Sequence, residues 1–173
     1  VKTAHWSSMV GTDWAVLELD TSLTTLISEG IMPLKLATHR HSGEREVVNV
    51  GSPIGFRQNG LRMSVCKETG VNSFVEHPGV FPGAIKNRCR DLQSGSSGSP
   101  MLDRSTNEVT GIVSKVAAVI KNDTLNNCQN NSACEAAKFN YSYPANDLHH
   151  CFVDGQFLNN TLDCQLKAVE III

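Results

Sequence analysis

Short strand-like runs, each closed off by Gly, Pro, Asn or Ser, limit this chain to a β fold before anything else is known of it. Trp14-Ala15-Val16-Leu17-Glu18-Leu19 lies between Gly11 and Asp20, and Glu46-Val47-Val48-Asn49-Val50 stops at Gly51-Ser52-Pro53. Leu61-Arg62-Met63-Ser64-Val65-Cys66 alternates, Val109 to Ile120 is β-branched, and Phe139 to Tyr143 alternates aromatic and polar. Short runs with frequent turn residues suit a sandwich or barrel rather than βαβ units. Only two stretches have helical character. Ser132 to Lys138 is Ala-rich, and Asn146 to Phe152 would start from Asn146 as N-cap after Pro144. Lys121 to Asn131 is polar and reads as an exposed loop. The expectation is an all-β domain with a polar, cysteine-stapled C-terminal extension.

Composition narrows the class. Apolar residues make up 40% of the 173 and charged residues 18%, so a core can form and the charge excess of a disordered chain is missing. Lys plus Arg number 15 against 17 Asp plus Glu, a net charge of −2 and a pI near 6.3. No basic stripe suggests a phosphate backbone, so nucleic acid is not an expected partner. No run approaches the ~20 apolar residues of a spanning helix, so neither is a membrane. The chain opens on Val1 without a charged-then-apolar leader and reads as a processed or truncated piece of something longer.

The six cysteines, at 66, 89, 128, 134, 151 and 164, include no Cys-x-x-Cys pair. Cys128 to Cys134 is too wide for a zinc knuckle, and His149-His150 run directly into Cys151, so no metal site is expected. Disulfides are the simpler reading and imply an oxidising compartment, outside the cell or periplasmic. Local spacing favours Cys128–Cys134 and Cys151–Cys164, leaving Cys66–Cys89 as the longer clasp. Asn-x-Ser/Thr sequons at Asn122, Asn130, Asn140 and Asn159 fit secretion from a eukaryotic cell and leave glycosylation open.

One segment carries chemistry: Asp91-Leu92-Gln93-Ser94-Gly95-Ser96-Ser97-Gly98-Ser99-Pro100. A serine hydroxyl is a poor nucleophile until a base takes its proton, and the oxyanion it creates needs nearby donors. A tight turn with glycines on both sides of a serine supplies such donors. The N–H groups of Gly95 and Ser97 can point into one concavity while the Ser97 hydroxyl faces the substrate. Taken alone, Gly95-Ser96-Ser97-Gly98-Ser99-Pro100 is equally well a Gly/Ser-rich flexible turn.

The segment resembles the nucleophile loop of chymotrypsin-like serine peptidases, and its Ser-Gly-Ser-Pro version is most similar to the secreted glutamyl-endopeptidase-like branch. Met101-Leu102-Asp103 and Val109-Thr110-Gly111-Ile112-Val113-Ser114 resemble the paired strands that follow the serine in that family. Thr12-Asp13-Trp14-Ala15-Val16-Leu17 resembles the segment that carries the catalytic aspartate, and Gly51-Ser52-Pro53 the Gly-x-Pro that opens the second barrel. Asp13 and Ser97 are 84 positions apart, against roughly 90 in the family template. The resemblance spans about residues 3 to 145. It implies a double β-barrel: residues 1–30 as the remainder of an N-terminal barrel, 31–145 as a complete C-terminal barrel and 146–173 as a stapled extension. It further implies that Ser97 attacks the scissile carbonyl, that Gly95 and Ser97 amides hold the oxyanion, and that Asp13 orients a histidine. Ser114, Lys115 and Val116 would be the edge that pairs with the substrate backbone.

The histidine departs from the pattern. The template places it roughly 45 residues before the aspartate, ahead of Val1, and His5 lies only eight residues before Asp13. His39, His41 and His77 fall between the two motifs, and His149 and His150 follow the serine. Truncation with the base in missing sequence, or a pseudopeptidase that binds without cutting, both account for this. Specificity stays open as well. Asp91, six residues before Ser97, matches a position where a carboxylate selects Lys or Arg, but Leu92 and Val116 are bulky enough to shorten such a pocket and Arg90 can pair with Asp91. Val113 stands where glutamate-selective relatives carry histidine. The expected partner is a peptide or protein substrate of a monomeric secreted serine endopeptidase that needs no cofactor. The alternative is a module that docks extended peptides on the Ser114 edge by β-addition.

Overall fold

The computed structural model describes residues 1–9, 11–54, 60–71, 74–76, 79–81, 83–90, 92–117, 139–164 and 166. It opens with an antiparallel pair, β1 (Thr3–Ser8) and β2 (Trp14–Glu18), which turns through Gly11 at φ +77°. A short helix, α1 (Leu23–Ser28), follows. The Ser22 hydroxyl caps it by accepting from Thr25 N at 3.1 Å, and Gly30 at φ +84° ends it. This helix was not among the two stretches with helical character; its signal is the Ser22 cap alone, since no residue of it is buried.

The barrel comes next and is closed in the order β10-β7-β4-β3-β8-β9. Its strands are β3 (Arg45–Gly51), β4 (Arg62–Val71), β7 (Ile85–Asn87), β8 (Pro100–Asp103), β9 (Val109–Lys115) and β10 (Asn140–Pro144), all antiparallel to their neighbours. A small hairpin of β5 (Phe74–Glu76) and β6 (Gly79–Phe81) lies between β4 and β7. Strand alternation does what the sequence pattern required. In β3, Val47, Asn49 and Gly51 are buried while their neighbours face outward. The extension carries α2 (Asn146–His149) and a hairpin of β11 (Phe152–Val153) and β12 (Gln156–Phe157). Ala145, not Asn146, occupies the N-cap of α2, and no side chain caps it. Asn146 is inside the helix, where its Nδ2 donates to Asp147 Oδ1 at 3.0 Å.

The described residues are thus nearly all β, with one complete barrel and a separate two-stranded sheet ahead of it. Two core clusters hold them. Val47, Cys89, Leu92, Met101 and Val113 fill the barrel, with Cys66 and Val116 packed against them. The second joins all three segments: Trp14 from the hairpin, Val109 and Tyr143 from the barrel, Leu148, Cys151 and Leu166 from the extension. Burying the indole of Trp14 alone contributes roughly 4–6 kcal/mol as an upper bound, which seats the β1–β2 hairpin against the barrel. Cys66–Cys89 and Cys151–Cys164 are bonded as their spacing favoured. Cys128, Cys134, the Ala-rich Ser132 to Lys138 and the Lys121 to Asn131 loop lie outside the described residues. Among the described residues no helix is long and apolar enough to cross a membrane, and no three His, Cys, Asp or Glu side chains cluster to hold a metal.

Candidate active site

The loop between β7 and β8 is anchored at both ends before it presents Ser97. Leu92 is buried in the barrel core. Beyond it the chain turns, with Ser96 N donating to Gln93 O at 2.9 Å and Gln93 N to Ser96 Oγ at 3.3 Å. Gly95 sits at φ +91°, against the backbone of Ser52 to Ile54, and Ile54 N donates to Ser94 O at 2.7 Å. On the far side the loop is sewn to β9: Gly98 N donates to Val113 O at 2.8 Å and Val113 N to Ser99 O at 2.9 Å. Ser97 is left exposed at the tip.

From Ser97 a line of polar contacts crosses to the hairpin. Its hydroxyl donates to the Ser114 carbonyl at 3.2 Å, and the Ser114 hydroxyl donates to Asp13 Oδ2 at 2.5 Å. Residues 101 positions apart in the chain are thereby brought to one place. The turn that carries Asp13 is braced by Tyr143, whose buried hydroxyl donates to the Gly11 carbonyl, and by Trp14, whose backbone N–H donates to Thr12 O at 3.0 Å. Burial first, and the nearby Asp13 charge second, push the Tyr143 phenol above its ordinary value, so it remains a donor. Asp13 Oδ1 and the amide N–H groups of Gly95 and Ser97 have no hydrogen-bond partner among the described residues. Asp13 and Ser97 border an open cleft of about 500 Å³, walled by Ser7, Ser8, Met9 and Trp14 on one side and by Gly98 and Ile112 to Ser114 on the other.

No described histidine lines this cleft. His5 is on β1, with Nε2 3.1 Å from Glu18 Oε2 and its ring 6.0 Å from that of Phe157. His39 and His41 line two other cavities, of about 190 and 520 Å³, that share no residue with the cleft. His149, the last residue of α2, and His150 after it are exposed, and His77 lies outside the described residues. So does Asp91, with the Asp91–Arg90 pairing considered for it. Leu92 is 7% exposed within the barrel core, and Val116, partly buried, packs against that cluster. Lys115 ends β9 opposite Tyr141.

Two polar side chains in the vicinity escaped the sequence reading. Asn49, 3% exposed, donates to Ser99 Oγ and to Pro100 O, both at 2.9 Å. Asn140, 2% exposed, donates to Asn87 Oδ1 at 3.2 Å and Cys89 O at 2.9 Å and accepts from Ala117 N at 2.7 Å. A sugar on Asn140 is incompatible with this packing, whereas Asn159 is exposed. Asn49 is two residues from Val47 on an alternating strand, whereas Asn140 belongs to a strand buried throughout and no alternation marks it; both must find partners once inside.

The described residues thus form a closed antiparallel barrel whose serine loop faces an aspartate on a flanking hairpin. No protein-family model matches the chain, and no curated protein sequence matches it. Among solved structures it is similar to the Rv3671c protease of M. tuberculosis in its active form, at 19% identity over 65% of this chain and 43% of that one, with a TM-score of 0.46. The inactive form of a serine-to-alanine mutant of Rv3671c from strain H37Rv is matched at 18% identity, over 65% and 48% of the two chains, with a TM-score of 0.44. The chain spans less than half the length of these structures.

Proposed function

We propose that this chain carries the nucleophile and the carboxylate of a secreted serine endopeptidase. The observation that carries the reading is the Ser97–Ser114–Asp13 line of contacts beside two unpartnered amides. Ser97 Oγ attacks the scissile carbonyl carbon while its proton passes to an imidazole between Asp13 Oδ1 and Ser97. The Gly95 and Ser97 N–H groups receive the charge that develops on the carbonyl oxygen. The imidazolium then protonates the leaving amine, an acyl-enzyme forms on Ser97, and water hydrolyses it by the same route in reverse. The imidazole lies outside the described residues. Asp13 accepts its Nδ1–H, and the Ser114 hydroxyl fixes the carboxylate for that role. Ser114, Lys115 and Val116 extend the barrel edge along which a substrate backbone pairs. The two disulfides fit an extracellular or periplasmic setting.

Ser97→Ala should abolish peptide cleavage while lowering the melting temperature by no more than a few degrees, because the side chain is exposed. Asp13→Asn should keep the fold and cost on the order of 10⁴ in turnover. Undiminished cleavage by either variant speaks against the assignment. One observation favours a second reading, a non-catalytic peptide-binding module: the Ser97 hydroxyl is engaged with the Ser114 carbonyl. Under that reading neither substitution changes peptide affinity and no cleavage is found.

A further inference from the structure

We propose that Asn49 is a positioning residue for Ser97, acting through Ser99 to orient the peptide group that supplies an oxyanion donor. The inference rests on the peptidase reading for its effect on rate, but its geometry stands apart from that reading. Asn49 faces into the barrel from the middle of β3 and spends its side-chain N–H₂ on two acceptors, Ser99 Oγ and Pro100 O. Because the Ser99 oxygen accepts there, its own proton is directed elsewhere, to Ser96 O at 2.5 Å. The same carbonyl accepts from Ser99 N at 3.1 Å.

The consequence follows from peptide geometry. In a planar trans peptide the carbonyl of one residue and the N–H of the next point in opposite directions. Fixing Ser96 O toward Ser99 therefore turns the Ser97 N–H away from Ser99, and Ser97 is part of the cleft wall. Gly51 lets the arrangement close, since a Cβ there would come within 3.1 Å of Ser99 Oγ and 3.2 Å of Asn49 Oδ1. A hydroxyl placed between an obligate donor and a carbonyl has one orientation, so the amide of Asn49 sets the direction of the whole relay.

Asn49→Asp tests this with almost no change of shape. A carboxylate accepts from the Ser99 hydroxyl instead of donating to it, which takes the hydroxyl from Ser96 O and leaves that carbonyl only the longer bond from Ser99 N. In the full chain, the reaction of Ser97 with a fluorophosphonate should be at least about tenfold slower than wild type near pH 8. The ratio should close as acid protonates the introduced carboxylate and restores a donor. The Ser97 amide resonance should move in the variant and return along the same titration. Ser99→Ala, which removes the relay without placing a charge in the barrel, should displace the same resonance with no pH dependence. A wild-type Ser97 resonance in both variants, or a wild-type labelling rate in Asn49→Asp, overturns the proposal. If wild-type Ser97 does not label at all, the peptidase reading fails, and the resonances alone then decide whether Asn49 orients the peptide.

Discussion

Replacing Gly95 by alanine separates what holds the serine loop from what merely permits its turn. Gly95 is at φ +91°, and a Cβ there would meet Ile54 Cγ1 at 2.7 Å, Ile54 N at 2.9 Å and Ser52 O at 3.3 Å. The Ile54 side chain is 72% exposed and can swing aside. Ile54 N cannot, because it donates to Ser94 O at 2.7 Å. Left-handed backbone costs an alanine about 1–2 kcal/mol, and loss of the Ile54–Ser94 bond adds about 0.5–1.5 kcal/mol. Gly98 supplies the control, with φ +84° and nothing within 4 Å of its added Cβ, so only the backbone cost applies. At about 2–4 °C per kcal/mol for a chain of this size, Gly95→Ala should lower the melting temperature by roughly 3–14 °C and Gly98→Ala by roughly 2–8 °C, the first always the larger. Thermal unfolding followed by circular dichroism reads the difference. Equal losses in the two variants refute the claim that the Ser52 to Ile54 backbone braces the loop.

Three further outcomes follow from buried or strongly bonded groups. Asn140→Ala leaves Ala117 N and Cys89 O without the Asn140 side chain, takes one of two donors from Asn87 Oδ1, and should cost about 3 kcal/mol in urea unfolding; a loss under about 1 kcal/mol contradicts the network. Tyr143→Phe removes the donor to Gly11 O and should cost about 1–2 kcal/mol, while slowing any reaction at Ser97 through a looser Asp13. The wild-type Tyr143 contribution should persist through neutral pH and be lost only above the ordinary phenol value of 10.0, because its folded value is raised. Asp103 accepts from the Ser105 hydroxyl at 2.6 Å and from Ser105 and Thr106 amides at 2.8 and 3.1 Å, which hold its carboxyl below the ordinary 3.8, the hydroxyl foremost. That stabilisation is present above the unfolded value and lost as pH falls through the folded one. Asp103→Asn should therefore lower the melting temperature at neutral pH and flatten its fall below pH 3.8; an unchanged acid limb counts against it.

Much of the architecture was legible because strand alternation is a local property. Val47, Asn49 and Gly51 face inward as a period of two demands, and the Trp14, Glu46, Leu61, Val109 and Phe139 runs all contain strands. What escaped was decided by long-range contacts or by turns with little apolar pattern. The helix from Leu23 to Ser28 buries nothing, so no periodicity marks it. The strand from Ile85 to Asn87 has only three residues and is held by its neighbours in the barrel. Ser97 and Asp13 could be singled out from motif and spacing. Their link through Ser114 could not, since a serine at the end of a strand looks the same whether or not an aspartate 101 positions away accepts from it. Asn49 and Asn140 carry no motif, and only the barrel shows that both lie within it.

The central claim is that Ser97 is an activated nucleophile. Treating the natural protein with a fluorophosphonate and mapping the modified peptide by mass spectrometry tests it most directly, with Ser97→Ala as the control. The account predicts a single adduct, on Ser97, absent from the Ser97→Ala protein. A folded protein that takes no label there, before or after limited proteolysis, contradicts it and leaves Gly95 to Pro100 as an inert turn on a peptide-binding barrel.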